Sequence, residues 1–495
     1  MLKQVFFVFF TAFIVLAAGC ANRTIKSTVE REDVFETNDE NEKPYIIDLN
    51  VEANSQNLLS CRLSFSTTEK KEAFVRYFSE KHKGYEVTGE ISKDHYFFLW
   101  GMKPETRYTI EIYFAGNPEV PVEVTEYISG SLPETVPHME LTVNDRNKVS
   151  EGFVLFTYFA IPMANASPVA LMVDEEGDVV WYFEYFMSGF NLLGDLQYIE
   201  ETETILISLM KGPNMAKIPA EEAIEIDLEG NVVWKSKKVT NIYGDEDSWH
   251  HFYRRLKDNS LLFLGYEWTG SLVTDRIVNV DRDYNVLWTW SYLDHFDPPH
   301  CDSADICDWT HSNFLNMFKE EGVVYINSRN LSQYFKIDMD TGEVLWTFGK
   351  GGDFDMITDH PDPWFEFAHA PEIDTFDGNE IMFYDNGSEE RGYSRIIKYR
   401  INDVDMTAEV IFEFDGSHID RKWFTEFWGD SDTLYNGNIL VTAGVSDFTD
   451  FSRLFEITKD GEIVWEIVMD KQDDWMVTLY NSSKISPPLN RFRGN

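Results

Sequence analysis

Six copies of one strand-turn-strand unit, a pitch of 53 to 66 residues between their terminal aromatics, and a leading stretch of short alternating strands predict an all-β protein. The expected architecture is a six-bladed β-propeller over residues 140–490, preceded by a small β-sandwich over 44–136. The unit first reads Val173-Asp174-Glu175-Glu176-Gly177-Asp178-Val179-Val180-Trp181 and returns around Ile226–Trp234, Val280–Trp288, Ile337–Trp346 and Ile457–Trp465, with a looser copy at Glu409–Phe412. In each copy the Asp is expected to cap a tight turn and the aromatic to fill the gap between blades. Partner hairpins at Leu256–Phe263, Phe376–Phe383 and Tyr435–Val441 carry Asp-Asn, Asp-Gly or Asn-Gly turns, which tolerate positive φ, and bring each repeat to four strands. Phe153–Phe156 and Val477–Tyr480 are expected to complete one blade from both ends, removing the open edge.

Before the repeats, runs such as Leu63-Ser64-Phe65, Ala73–Tyr77, Tyr96–Trp100 and Tyr108–Tyr113 alternate apolar and polar positions at sandwich spacing. Met102–Tyr108 resembles the corner before a late strand of fibronectin type III or immunoglobulin-like domains. Ahead of these runs, Lys3 precedes a 14-residue apolar run from Val5 to Ala18, too short to span a bilayer but suited to a signal peptide over residues 1–19. Leu16-Ala17-Ala18-Gly19-Cys20 resembles the bacterial lipoprotein cleavage signal, which implies lipidation of Cys20, a flexible tether over 20–43, and an exported protein anchored to a cell membrane through its lipid alone. In that oxidising compartment Cys301 and Cys307, six apart, are expected to form a disulfide, with Cys61 single and buried.

With 86 Asp and Glu against 42 Lys and Arg, the chain carries a formal charge of −44, which excludes nucleic acid and anionic lipid as partners of the body. An anionic substrate would need a local island of cations and donors. The sequence breaks its apolar pattern three times where strands should line the channel: Trp249-His250-His251-Phe252, Asp308-Trp309-Thr310-His311-Ser312-Asn313 and Phe367-Ala368-His369-Ala370-Pro371. His250 and His369 each lie eight residues before the Asp of their turn, and His311 lies twelve before Val323 as His369 does before Ile381. Equivalent levels on neighbouring blades converge on the axis, so these imidazoles are expected to meet, with Asn313 and Arg329 nearby. Three imidazoles suit zinc or copper, or a nucleophile with donors for an oxyanion. No compact His-x-His pair or neighbouring carboxylate favours the metal, so no metal and no cofactor is expected.

Asp308–Asn313, with Asn327-Ser328-Arg329-Asn330, Lys336-Ile337-Asp338 and Thr341–Trp346, closely resembles the signature of the bacterial PAPS-independent aryl sulfotransferases. His250-His251, His369, Asp385-Asn386-Gly387 and Tyr393-Ser394-Arg395 follow in the family's order, so the resemblance spans roughly residues 140–490. It implies a sulfuryl transfer from an aryl sulfate to a phenol, by a ping-pong mechanism through a sulfohistidine at His369. His311, Asn313 and Arg329 are implied to bind sulfate oxygens, and one of His250 and His251 to be a further catalytic histidine; turn spacing favours His250. Ala370-Pro371-Glu372 departs from the pattern, and an inward Glu372 would oppose a bound sulfate. Two other readings stay open: a propeller lipoprotein for ligand binding or adhesion, and a metal-dependent propeller hydrolase. A homodimer is also left open.

Overall fold

The computed structural model describes residues 46–80, 82, 84–161, 168–185, 192–210, 220–236, 249–301, 307–373, 379–417, 423–444, 451–470, 476–486 and 490–492. The signal peptide, Cys20 and the tether lie outside them. Among these residues the one helical element is a three-residue 3-10 turn at Tyr292–Asp294, and strands build everything else.

Phe153–Ile161, Val169–Val173 and Val179–Glu184 form blade 1 with Met476–Ile485. Blade 2 runs from Leu192–Ile199 at the centre to Val232–Lys235 outside, and blade 3 from Trp249–Arg255 to Val286–Ser291. Blade 4 runs from Ser312–Phe318 to Val344–Gly349, blade 5 from His369–Ile373 to Thr407–Phe414, and blade 6 from Asp430–Thr433 to Ile463–Asp470. Each innermost strand touches the next in turn, and that of blade 6 returns to Met476–Ile485. The ring is therefore six-bladed and closed, with Met476–Ile485 antiparallel to Phe153–Ile161 as the sequence anticipated. Glu140–Asn144 adds a fifth strand outside blade 6.

The repeated Asp and aromatic do what turn chemistry and packing require. Asp174, Asp227, Asp281 and Asp338 each accept backbone N–H groups of their own turn at 2.8–3.0 Å. Gly177, Gly230, Gly342 and Gly461 hold the left-handed position of these turns, which Tyr284 occupies in blade 3. The aromatics sit on the fourth strand of their blades, and in three of them an indole N–H reaches the turn of the following blade. Trp181 donates to the Leu228 carbonyl at 2.8 Å, Trp288 to Met339 at 2.9 Å, and Trp465 to Glu175 at 3.1 Å. The last of these staples blade 6 to blade 1 and so repeats at the rim the closure made at the centre.

The sandwich packs a three-stranded sheet, Ile46–Ala53, Cys61–Lys71 and Ser92–Leu99, on a five-stranded one. Four strands of the second sheet lie between Ala73 and Ile128; the fifth is Asn490–Phe492, which pairs with Gly84–Glu86. The strand after the propeller thus belongs to the sandwich. Cys61 is free and buried at the sandwich core, as expected. The sandwich rests on blade 1 through Trp100 edge-on to Phe153 at 5.5 Å and through the Leu58 N–H on the Tyr182 hydroxyl at 2.9 Å, and on the outer turn of blade 2 through Arg62 and Glu229 at 2.9 Å.

The innermost strands of blades 1 to 5 all slip register near the axis, at Leu479/Ser482, Leu193/Leu196, His250/Tyr253, Ser312/Phe314 and His369/Glu372. Such bulges re-aim side chains that a regular strand would send elsewhere.

Because Trp465 is fully buried and joins the two ends of the ring, Trp465→Ala is expected to lower the unfolding free energy by about 3–5 kcal/mol. A urea titration followed by circular dichroism measures this, and a loss under about 1 kcal/mol would show that the staple does not hold the ring.

Candidate active site

The bulged strands surround a cavity of about 410 Å³ at the axis. His251, His311, His369 and Arg329 line it, from blades 3, 4, 5 and 4. The ring centre of His251 lies 5.0 Å from that of His311 and 6.2 Å from that of His369. Three of the four candidate histidines, one from each of the three blades, therefore meet. Tyr266, Tyr480, Trp428, Phe427 and Met210 form much of the remaining wall, which is predominantly apolar and aromatic and suits an aryl group.

His369 opens the innermost strand of blade 5 and is 3% exposed. Its Nδ1 lies 2.8 Å from the Gly429 carbonyl, an acceptor only, so Nδ1 carries the proton and Nε2 the lone pair. No hydrogen-bonding group meets Nε2. Burial, only partly offset by the Gly429 bond and reinforced by Arg329 and His311, pushes the pKa down to about 3. The ring is thus neutral at physiological pH with an uncommitted nitrogen at a pocket wall.

Three interactions hold that arrangement. Gly429 has φ +100°, and a Cβ there would stand 2.3 Å from the Tyr384 ring. The side-chain amide of Asn386 donates to the carbonyls of Thr425 at 2.7 Å and Trp428 at 2.9 Å, fixing the segment that leads to Gly429. Asp385 takes the Arg395 Nε–H at 2.8 Å and the Arg391 guanidinium, while Arg395 also donates to the carbonyls of Asp362 and Trp364 at 3.0 and 2.8 Å. The stretch Asp385–Arg395 therefore secures the segment preceding His369.

Arg329 is half-buried between the rings of Phe367 and Phe427, with its guanidinium carbon 5.0 and 5.3 Å from their centres. It donates to Asn330 Oδ1 and to the Glu426 carbonyl, both at 3.0 Å, while its Nε lacks a partner. Burial lowers its pKa, against the pull of Glu426 and Asp308, from a reference high enough to leave it cationic. His311 Nδ1 is in close contact with Asp308 Oδ2, which fixes its ring.

Two predicted site residues lie elsewhere. His250 is 1% exposed and does not reach the cavity; His251, with φ +56° in the bulge, takes that place. The count of eight residues to the turn assumed a regular strand, and the extra residue of the bulge exchanges the two side chains. Asn313 is equally buried: it donates to the Ala368 carbonyl at 3.0 Å and accepts from Asn327 at 2.8 Å. It braces the backbone beside His369 and does not line the cavity. Glu372 is turned away from the pocket, taking the N–H and hydroxyl of Thr433 at 2.9 and 2.7 Å.

Burial also depresses the pKa of His251 well below that of ordinary imidazole, helped by His311, His250, His369 and Arg329. Among the described residues, the set of three ligand atoms all within 4.8 Å of one another is Asp174, Glu176 and Asp178, and the Lys103 ammonium already lies 2.6–3.0 Å from these carboxylates. The three pocket imidazoles are not so gathered. The expected disulfide is present, Cys301 to Cys307, one residue before Asp308 of the pocket wall.

Fold and site together define a propeller protein with a buried imidazole, a fixed guanidinium and an aromatic-walled cavity. The sequence profile of the arylsulfotransferase (ASST) family matches residues 140–481, and the chain belongs to that family. Membership supports aryl sulfotransferase activity in general terms. No curated protein matches the chain. Similar solved structures include a putative 6-phosphogluconolactonase from Bacteroides fragilis NCTC 9343, at 10% identity over 83% of this chain and 99% of that one, with a TM-score of 0.36. A luciferin-regenerating enzyme is 10% identical over 72% and 98% of the two chains with a TM-score of 0.34. Likenesses this distant carry no argument about function.

Gly429→Ala is expected to withdraw the carbonyl from His369, since neither the backbone angle nor the space beside Tyr384 admits a methyl group. In ¹⁵N-histidine-labelled protein one slowly exchanging Nδ1–H signal should vanish; its persistence would break the link between the two residues.

Proposed function

We propose that this protein moves a sulfuryl group from a phenolic sulfate ester to a phenolic acceptor in two half-reactions, with His369 as the carrier. In the first, the His369 Nε2 lone pair attacks sulfur in line, the N–S bond forms, and the S–O bond to the aryl group breaks to release a phenolate. In the second, the acceptor oxygen attacks sulfur and the N–S bond breaks, returning His369 to its starting state. Sulfuryl transfer spreads charge over three oxygens much as phosphoryl transfer does, so fixed donors supply most of the catalysis. Arg329 offers a guanidinium preoriented by Phe367, Phe427 and Glu426, and His311 presents its ring from the Asp308 contact. His251 would exchange the phenolic proton. Asn313 is assigned to support of the His369 backbone, a change from the sulfate contact that the family pattern implies.

The observation that carries this reading is the buried, neutral, singly bonded His369 with Nε2 uncommitted at the wall of an aromatic cavity shared with Arg329. Purified protein given a chromogenic aryl sulfate should release the chromogen in a phenol-dependent manner, and His369→Ala should abolish release. Silence of the wild type would favour a binding protein, and sensitivity to chelators a metal-dependent hydrolase. For a donor whose leaving group needs no proton, the limb of the pH profile set by His369 should fall only as the pH drops towards about 3, because protonation of Nε2 is what removes the nucleophile. A limb near pH 6.5 following His369 would refute its depressed pKa.

We further propose that the protein is exported and held at a bacterial cell membrane by a lipid on Cys20. The Cys301–Cys307 disulfide supports an oxidising compartment. Cys20→Ser should shift the protein from the membrane fraction to the soluble one, and unchanged fractionation would exclude the anchor.

A further inference from the structure

Behind His251 stands a column of groups that takes no part in holding sulfate. His251 Nδ1 lies 2.8 Å from His250 Nδ1, and His250 Nε2 lies 3.0 Å from Asp275 Oδ1. All three residues are within the protein body: His250 and Asp275 are each 1% exposed. The other carboxylate oxygen of Asp275 is saturated by the Thr310 hydroxyl at 2.6 Å and the Ser312 N–H, leaving Oδ1 to face His250. Tyr266 stacks on the His250 ring at 3.9 Å, with 19° between the planes, so the ring is held in register with both neighbours. The geometry is a carboxylate 3.0 Å from one imidazole, in charge contact without an aligned hydrogen bond, and a second imidazole bonded to the first and ending at the cavity.

We propose that Asp275 and His250 form a proton relay behind His251, which receives the proton of the acceptor phenol and places the resulting charge beside the buried carboxylate. This rests on the transfer reaction proposed above. In the sulfated enzyme, before the acceptor attacks, His250 Nε2–H lies beside Asp275 and His251 Nδ1–H donates to His250 Nδ1, so His251 Nε2 presents a lone pair to the cavity. As the acceptor oxygen attacks sulfur, its O–H bond breaks and the proton bonds to His251 Nε2. The His251 Nδ1–H proton passes to His250 Nδ1. His251 ends neutral with an N–H directed at the pocket, and His250 ends as an imidazolium paired with Asp275. The free enzyme keeps the proton in this charged form, and in the first half-reaction the steps run backwards to protonate the leaving phenolate, so no proton is gained or lost over the full cycle.

The relay answers an electrostatic difficulty of the cavity. A cation resting on His251 would stand among His311, His369 and Arg329 in a buried site, and burial together with those neighbours already disfavours it. One ring further back the same charge meets Asp275, whose own pKa stays low despite burial because of His250, Thr310 and Ser312. His250 and Asp275 are therefore relay and positioning residues; of these three, only His251 meets the substrate.

The test varies the acidity of the acceptor. His250→Asn keeps a polar atom near the Nδ1 position but removes the second ring nitrogen, so it interrupts the relay without emptying the site. Transfer from one chromogenic aryl sulfate to phenol is expected to fall by about a hundredfold, and transfer to strongly acidic phenols by a factor of about three or less. A uniform fall across acceptors, or none, would overturn the relay. Because a change at position 250 can disturb packing, the wild-type protein provides a second measurement. A through-hydrogen-bond ¹⁵N–¹⁵N coupling between the Nδ1 atoms of His250 and His251 is expected, and its absence would equally overturn the proposal. A wild type that transfers nothing to any phenol would sink the underlying reaction, whereas an active wild type whose acceptor profile His250→Asn leaves intact would sink the relay alone.

Discussion

One hydrogen bond, from His369 Nδ1 on blade 5 to the Gly429 carbonyl at the entrance of blade 6, sets the state of the imidazole at the cavity wall. It selects the tautomer, and with it which nitrogen is free to react. Much of the neighbouring architecture serves that bond. Gly429 needs positive φ and an empty side-chain position against Tyr384, Asn386 fixes the loop before it, and Asn313 and Asn327 hold the Ala368 carbonyl one residue before the histidine. The imidazole is on one blade and its acceptor on the next, so the tautomer depends on the ring keeping its blades in place.

A chain this acidic hosts its site by local arrangement and not by net charge. Asp308 on the cavity wall and Asp275 behind His250 are both engaged, Asp308 with His311 and Asp275 with His250, Thr310 and Ser312. Arg329 is left to act on the cavity, gripped by aromatic faces and backbone oxygen. In a buried site of low effective dielectric a single oriented cation outweighs many distant, solvated anions.

The fold was legible because its repeat has chemical causes. The turn Asp, the left-handed Gly and the outer aromatic recur with the blade, and each is visible in the residue string. Histidines were legible for the opposite reason, since they interrupt an apolar pattern. What escaped was the choice between His250 and His251: a bulge adds one residue to the count, and bulges leave no mark in an alternating strand. Tyr266, Trp428 and Tyr480 escaped because aromatics fill the blades everywhere, so those that face the axis look like core. Asn313 was noticed by its motif, but its buried partners are 14 and 55 residues away and only the folded chain brings them to it.

The final strands carry a consequence for biogenesis. Met476–Ile485 supplies the centre of blade 1, Tyr480 on that strand lines the cavity, and Asn490–Phe492 joins a sheet begun some four hundred residues earlier. A nascent polypeptide emerging from the ribosome or through a translocon therefore lacks both a sealed ring and a finished chamber until residues 476–492 arrive. A product truncated before residue 476 would be devoid of the chamber even though most of its blades had been synthesised.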